Sequence, residues 1–427
     1  MTRVNRPRIV VTGTGLITGT GRSSEKALEA LQAGRSAIAP VRAWDASGWP
    51  TGVAAEIVDY DPDALTGDRK LLKFIRRTDV LGLHAASQAI DGGCLTTHRR
   101  GLDAEGAARL GERTGVYVGS GGSAYTSLHD FFPLMAGGSL ERFGRELGAS
   151  VNPMWLLRTL PNNVLCHVGI RHGLKGPNAC ITSHAVSGTL AIVEAMQALR
   201  AGECDRAVTV AHDAPIEPQT ILYYHRLGLL SAETVRPFDT ARSGTVLGEG
   251  AGALLLETET AAESRQARVV GEVLGGAASS EPEGLLRIRD DGDGLARAIA
   301  LALEDAEIRP TDVGMIVAHG NGTRQGDASE AHAIREAFGP TPPPVTAFKW
   351  AFGHLLAAAG MIDAVVALAA LRDRTVPGVC SLRQVDPELA WLPVTATPRP
   401  PRGDTALVLS RGFAGTNAAL LVRAVAA

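Results

Sequence analysis

Several things are scarce in this chain, and each shortage narrows what it can be. Its five cysteines (Cys94, Cys166, Cys180, Cys204, Cys380) are odd in number and never form a CxxC pair. That argues against a disulfide framework or a zinc site and fits a reducing cytoplasm. Neither sign of charge dominates: the formal net charge is −3, so the bulk balance calls for neither nucleic acid nor an anionic membrane. The N-terminus, MTRVNRPRIVVTG, lacks the apolar stretch of a secretory signal. One long hydrophobic run exists, LLAAAGMIDAVVALAAL over 355–371. It is short for a bilayer and contains Asp363, so a helix buried on all sides is the expectation. Aromatics are few, at 4%, against 49 glycines, which predicts close helix–sheet packing and many tight turns.

What is present is a large α/β protein. The 427 residues are 45% apolar, enough for two packed halves or domains. Short apolar runs at 8–13, 115–119, 207–211, 251–256, 315–318 and 405–409 read as buried strands. Helical patterns lie between them, at 25–34, 77–92, 188–202, 294–306 and 329–338. The alternation predicts α/β layers. The halves echo each other: a short strand at 179–182 turns into an Ala-rich helix, as another does at 345–348. The charged stretch ETETAAESRQAR (257–268) is the expected joint. This sets the halves at 1–262 and 263–427.

Chemistry is suggested first by NACITSHAVSGTLAI, Asn178 to Ile192. A strand that breaks sharply into a helix is where enzymes hold a nucleophile, exposed and favoured as an anion by the helix N-terminus. The residue at this bend is Ala185, which has no such chemistry. Other polar groups are placed to converge. His319 ends a buried strand, and Gly320 and Gly322 beyond it leave room for a ligand to approach the backbone. Lys349 and His354 bracket the bend before the apolar helix, where a buried charge must be paired or catalytic. Glu330 is the expected counter-charge of Lys349. Neither histidine lies in a metal-binding pattern, so both read as hydrogen-bond donors or proton carriers. The turn 412–417 carries one large aromatic, Phe413, which alone reads as core before gate.

The ordered set of RIVVTGTGLITGTG, RHGLKGPNACITSHAVSGT, RPFDTARSGTVLGEGAG, AHGNGTRQGDASEA, KWAFGHLLAAAG and RGFAGTNAALLV resembles the β-ketoacyl-acyl carrier protein synthases of the type II elongation class. The motifs span Arg8 to Val422. The resemblance implies the thiolase fold, two similar halves in five layers αβαβα, usually as a dimer. It places the family's acylated cysteine at Ala185, its histidines at His319 and His354, its lysine at Lys349 and the partner glutamate at Glu330. Phe413, after Gly412, takes the place of the gating aromatic. Two threonines that contact the carrier's pantetheine arm fall on Asn321 and Thr323, a half match, and Ala414 stands where glycine is usual. Such an enzyme takes an acyl chain as a thioester and decarboxylates malonyl carrier protein. It holds the enolate between two imidazoles, an arrangement akin to an oxyanion hole. By the same resemblance, the backbone N–H groups of residues 185 and 413 form a second such hole. No cofactor is implied; substrate arrives on the phosphopantetheine arm of acyl carrier protein.

Three readings account for Ala185. It marks a noncatalytic partner subunit of the chain-length-factor type, or a decarboxylase that makes acetyl starters, or a synthase whose cysteine has been replaced by alanine. Partner subunits have usually lost the histidines and decarboxylases carry glutamine there, so the intact remainder favours the third. Cys180 and His184 receive no catalytic role. The stretch GDRKLLKFIRRTD supplies Arg69, Lys70, Lys73, Arg76 and Arg77, mostly on one helix face if helical, as a dock for an acidic carrier. Gly122, in Ser120-Gly121-Gly122-Ser123, stands where relatives often carry a bulky aliphatic at the far end of the acyl tunnel. The phrasing KWAFGHLLAAAG and SRGFAGTNA is similar to ketosynthases of polyene-making clusters, such as the aryl polyene pathways. A purely structural assembly protein is disfavoured by the inward lysine and histidines. Thiolase chemistry on free coenzyme A would need a second cysteine, and Cys380 lacks the expected glycine-rich frame.

Overall fold

The computed structural model describes residues 6–122 and 139–425. Ser123 and the first five residues of the N-terminal stretch lie outside them. Ten strands form one sheet. In chain order they are β1 (Ile9–Thr18), β2 (Thr114–Ser120), β3 (Asn178–Ile181), β4 (Arg206–Asp213), β5 (Gly250–Thr258), β6 (Gly271–Ser280), β7 (Met315–Val317), β8 (Val345–Thr346), β9 (Thr405–Gly412) and β10 (Thr416–Ala424). Their spatial order is β8-β7-β9-β10-β6-β1-β5-β4-β2-β3.

That order contains a duplication. Numbered within its own half, each set of five strands lies 3-2-4-5-1. In each half the first three of these neighbours are parallel, and the other two pairings are antiparallel. The halves meet where β1 pairs with β6, Ile9 opposite Val273 and Val11 opposite Gly271.

Helices α1 (Arg77–Gly92) and α3 (Asp293–Asp305) cover the outer faces, α1 against β1, β4 and β5, α3 against β6 and β10. Between the halves run α2 (Ser187–Arg200) and α5 (Ala359–Arg372), each touching strands of both. Helix α4 (Arg324–Phe338) packs against α3. The layers are therefore αβαβα. Because α5 is enclosed, its sequence shows no amphipathic stripe: every residue from Ala359 to Leu371 is buried. Among the described residues, no helix is long and apolar enough to cross a membrane.

Two strands of this sheet escape the sequence pattern. β6 reads GEVLGGAASS, and its glycines weaken any strand signal. They are there for contact: a Cβ on Gly275 would lie 2.6 Å from Ala306 N, in the cap of α3. β10 begins inside what reads as a glycine turn. The charged stretch 257–268 is not a loose joint. Glu257 is fully buried and accepts from Arg206 Nε at 2.9 Å and Arg265 Nε at 2.9 Å.

Candidate active site

At the end of β3 the chain bends through a 3-10 turn, His184–Val186, into α2. Ser187 braces the bend, its Oγ accepting from Ser183 N–H at 2.8 Å and donating to His184 O at 2.7 Å. His184 is left-handed (φ 51°), and Ala185 beside it is fully buried. The second half repeats the device: Leu356 is left-handed (φ 43°), Leu356–Ala358 is a 3-10 turn, and α5 follows. Here the turn holds a carboxyl group, because Ala357 N–H donates to Asp213 Oδ2 at 3.1 Å. The two helix starts cross at glycines. A Cβ on Gly188 would lie 2.8 Å from Ala357 O, and one on Gly360 would lie 2.1 Å from Thr189 Oγ1.

His319 follows β7, and His354 lies just before the second turn. Glu330 of α4 fixes the His319 turn, accepting from His319 N–H at 2.6 Å and Gly320 N–H at 2.8 Å. His319 Nδ1 accepts from Arg411 N–H at 3.3 Å, and His354 Nδ1 accepts from Leu356 N–H at 3.3 Å. A backbone N–H can only donate, so Nδ1 is bare in both rings and the proton sits on Nε2. Burial, and then the Lys349 ammonium, hold both imidazoles well below their ordinary pKa. The rings are neutral, with centroids 5.1 Å apart at 78°. Two Nε2–H donors thus share one narrow cavity of about 80 Å³.

Lys349 departs from expectation. Its ion-pair partner is Asp363 of α5, 3.6 Å away, both side chains almost fully buried, while the Glu330 carboxylate is taken by backbone N–H groups. Glu330 is near enough for each charge to feel the other, but burial is the main cause of its raised pKa. Burial also lifts Asp363 to about 6, against the pull of Lys349. A signal for Asp363 existed, since one acid in an otherwise apolar enclosed helix needs a cation.

Asn321 and Thr323 both line the cavity but are engaged with each other: the Thr323 hydroxyl donates to Asn321 Oδ1 at 2.8 Å and accepts from Gly326 N–H at 3.2 Å. Gly320 and Gly322 do not leave ligand space. Cβ atoms there would lie 2.6 Å from Ala347 Cβ and 2.7 Å from Gly244 O. The turn after β9 comes against the elbow, where a Cβ on Gly412 would lie 3.4 Å from Ala185 N. Ala414 is left-handed (φ 58°), which is the physical reason a glycine suits that position. Phe413 stacks on His184, with centroids 4.2 Å apart at 20°, and His184 Nε2 lies 2.7 Å from the Tyr224 hydroxyl. His184 therefore lines the cavity, and Tyr224 went unnoticed because it is remote in sequence. Gly122 (φ 86°) has open space around it and is not among the residues lining this cavity.

The basic stretch is not one helix face. Only Leu71–Lys73 forms a short 3-10 turn, and α1 starts at Arg77. Arg69, Lys70 and Lys73 are exposed. Arg76 is half-buried; its backbone N–H bonds Asp79 Oδ2 at 2.9 Å. Arg77 donates to Glu249 Oε2 at 2.7 Å and lies 4.0 Å over the Tyr60 ring, so it serves the fold. Among the described residues no cluster of side chains is arranged to hold a metal.

Two family models match the chain: Beta-ketoacyl synthase, N-terminal domain, over residues 6–262, and Beta-ketoacyl synthase, C-terminal domain, over residues 270–383. The chain is 30% identical to the 3-oxoacyl-[acyl-carrier-protein] synthase 2 of Coxiella burnetii, covering 99% of this chain and 100% of that protein. Among solved structures it is similar to the ishigamide ketosynthase/chain length factor, with a TM-score of 0.86 and 29% identity over 98% of this chain and 100% of that one. It is also similar to a type II polyketide synthase structure, an acyl-carrier protein in complex with its ketosynthase bound to the hexaketide. There the TM-score is 0.84 and the identity 26%, over 99% of this chain and 100% of that one.

Proposed function

Because the chain belongs to the β-ketoacyl synthase family, we propose that its site is that of a β-ketoacyl-acyl carrier protein synthase of fatty-acid or polyene/polyketide biosynthesis from which the nucleophilic thiol is missing. The observation that carries this reading is the pair of neutral imidazoles, each with Nδ1 engaged by a backbone N–H and Nε2–H available.

In this reading a malonyl thioester, carried on the phosphopantetheine arm of acyl carrier protein, places its carbonyl oxygen between His319 and His354. The bond from the α-carbon to the carboxylate breaks and carbon dioxide leaves. The electron pair passes to the thioester oxygen as an enolate, held by the two Nε2–H groups. Donors already oriented toward developing charge need no reorganisation when it forms, and in enzymes such stabilisation is usually the largest single catalytic term. Lys349, paired with Asp363 and within the field of Glu330, sets the charge around both rings. With a cysteine at 185, the enolate carbon would attack an acyl-cysteine thioester, form the new carbon–carbon bond and release the thiolate. With Ala185 the enolate takes a proton from water instead, leaving an acetyl thioester.

The halves are taken as 1–262 and 263–427, with Phe413 as the gating aromatic and Asn321 and Thr323 along the pantetheine path. Arg69, Lys70 and Lys73 are the proposed dock for the acidic carrier. Gly122 opens the far end of the tunnel toward the dimer partner, and the polyene pathways are the favoured setting. A second reading is favoured by Ala185 together with the likeness to a ketosynthase/chain length factor: this chain as the noncatalytic partner in a heterodimer with an active ketosynthase.

One substitution tests the first reading. The unaltered chain should release carbon dioxide from malonyl carrier protein and take no label from radiolabelled acyl carrier protein. Ala185→Cys should become acylated and condense. Covalent label on the unaltered chain would overturn the proposal. An Ala185→Cys chain that stays unacylated, while the unaltered chain co-purifies with an active ketosynthase, would favour the partner-subunit reading.

A further inference from the structure

We propose that His184 and Tyr224 form a latch holding the Phe413 ring across the approach to position 185, and so set how bulky an acyl group can reach that seat. The inference rests on the reading of position 185 as the acyl seat and adds two positioning residues to it.

Three separate elements meet here. His184 belongs to the elbow, Tyr224 to the helix Pro218–Arg226, and Phe413 to the turn between β9 and β10. The three rings form one aromatic cluster, with His184 and Phe413 at 4.2 Å, Tyr224 and Phe413 at 5.7 Å, and His184 and Tyr224 at 6.4 Å. A 2.7 Å bond from His184 Nε2 to the Tyr224 hydroxyl ties the first two together. Burial pushes the His184 imidazole down to about 4, so the ring is neutral near pH 7. The bond then joins neutral partners, and the stack carries no charge into the cavity.

His184 cannot simply follow Phe413 if the turn moves. Its left-handed backbone opens the 3-10 turn that leads into α2, and its carbonyl accepts from Ser187 Oγ. The turn has anchors of its own: Ala414 N–H donates to Leu285 O at 2.7 Å, and Thr416 Oγ1 donates to Phe413 O at 3.1 Å. Swinging Phe413 away therefore means unstacking it from a fixed imidazole that Tyr224 holds flat. In this proposal a malonyl group held at His319 and His354 does not need that movement. A long acyl chain bound for position 185 does.

The test uses Ala185→Cys as a reporter in the full chain, so its readout, a covalent label at residue 185, does not depend on condensation. Alkylation by iodoacetamide and by a long-chain N-alkyl iodoacetamide is followed by peptide mass spectrometry, which separates residue 185 from the native cysteines. Taking the ratio of the two rates cancels any change in thiol acidity. Tyr224→Phe keeps the ring and removes the hydroxyl; it should raise the long-to-short ratio about fivefold, the loss of one ordinary hydrogen bond. Phe413→Ala should raise the ratio at least as much, and adding Tyr224→Phe to it should give nothing further. An unchanged ratio in Tyr224→Phe, or gains that multiply in the double variant, would overturn the latch. Tyr224→Phe is preferred to His184→Ala because it leaves the strained elbow untouched.

Discussion

Replacing the Lys349–Asp363 pair separates what it does for the fold from what it does for the histidines. At 3.6 Å the gross attraction is about 4–5 kcal/mol with an effective dielectric constant near 20. Burial outweighs it: even with the pull of Lys349 included, Asp363 is lifted from 3.8 to about 6, a net cost to the folded state above pH 6 of about 3 kcal/mol. The sign follows from proton binding. Between pH 3.8 and 6 the folded chain holds a proton on Asp363 that the unfolded chain has released, so this carboxyl favours folding at acid pH, and the advantage is lost as pH rises. Asp363→Asn strands a buried ammonium and should cost about 3–5 kcal/mol. Lys349→Met should cost less at pH 5 than at pH 8, because a protonated Asp363 needs no partner. The double variant Lys349→Met/Asp363→Asn should return to within about 1 kcal/mol of the parent at pH 8, since neutral isosteres carry no desolvation penalty. Its chemistry should not return. Without the ammonium both histidines become more basic, and protonation sets an Nδ1–H against the backbone N–H of Arg411 or Leu356, loosening the rings. The acid limb of carbon dioxide release should therefore move to higher pH. Urea unfolding at pH 5 and 8, with release from malonyl carrier protein measured from pH 5.5 to 8.5, reads both effects. A double variant as unstable as Asp363→Asn alone, or one with an unmoved acid limb, would refute the reasoning.

Two further outcomes are expected besides the Ala185→Cys and Tyr224→Phe results. Gly188→Ala drives a methyl to 2.8 Å from Ala357 O and 2.9 Å from Ala211 Cβ, where backbone cannot yield, and should cost about 1–3 kcal/mol in urea unfolding. The joint reversal Lys70→Glu/Lys73→Glu should weaken carrier binding at low salt without changing stability by more than about 0.5 kcal/mol, as read by calorimetric titration and thermal melting; unchanged affinity would remove this surface as the dock.

Much of the architecture was legible because it is written in local patterns. Six apolar runs marked strands, and the helix 77–92 matches Arg77–Gly92 residue for residue. The paired strand-to-helix bends appeared in sequence as two similar segments and in the structure as two left-handed residues, each opening a 3-10 turn. The glycine-rich β6 was not legible, since its glycines answer to Ala306 and Val193, residues distant in sequence. Nor was the break at Lys73, which leaves the basic residues on a short turn and a helix start instead of one face.

By itself, the sequence determined the layered α/β class, the strand-to-helix bend at Ala185 and the set of polar residues gathered near it, because periodicity and motif order are properties of neighbours along the chain. Tertiary structure alone decided how those residues pair. Lys349 lies by Asp363 because α5 passes beneath it, while Glu330 serves two backbone N–H groups. The proton sits on Nε2 of both histidines because backbone donors from 411 and 356 arrive at Nδ1. His184 became part of the site only through its left-handed φ and the arrival of Tyr224 and Phe413 from distant elements. Hydrogen-bond partners and buried charges are settled by which groups packing brings within about 3 Å, and no spacing along the chain encodes that.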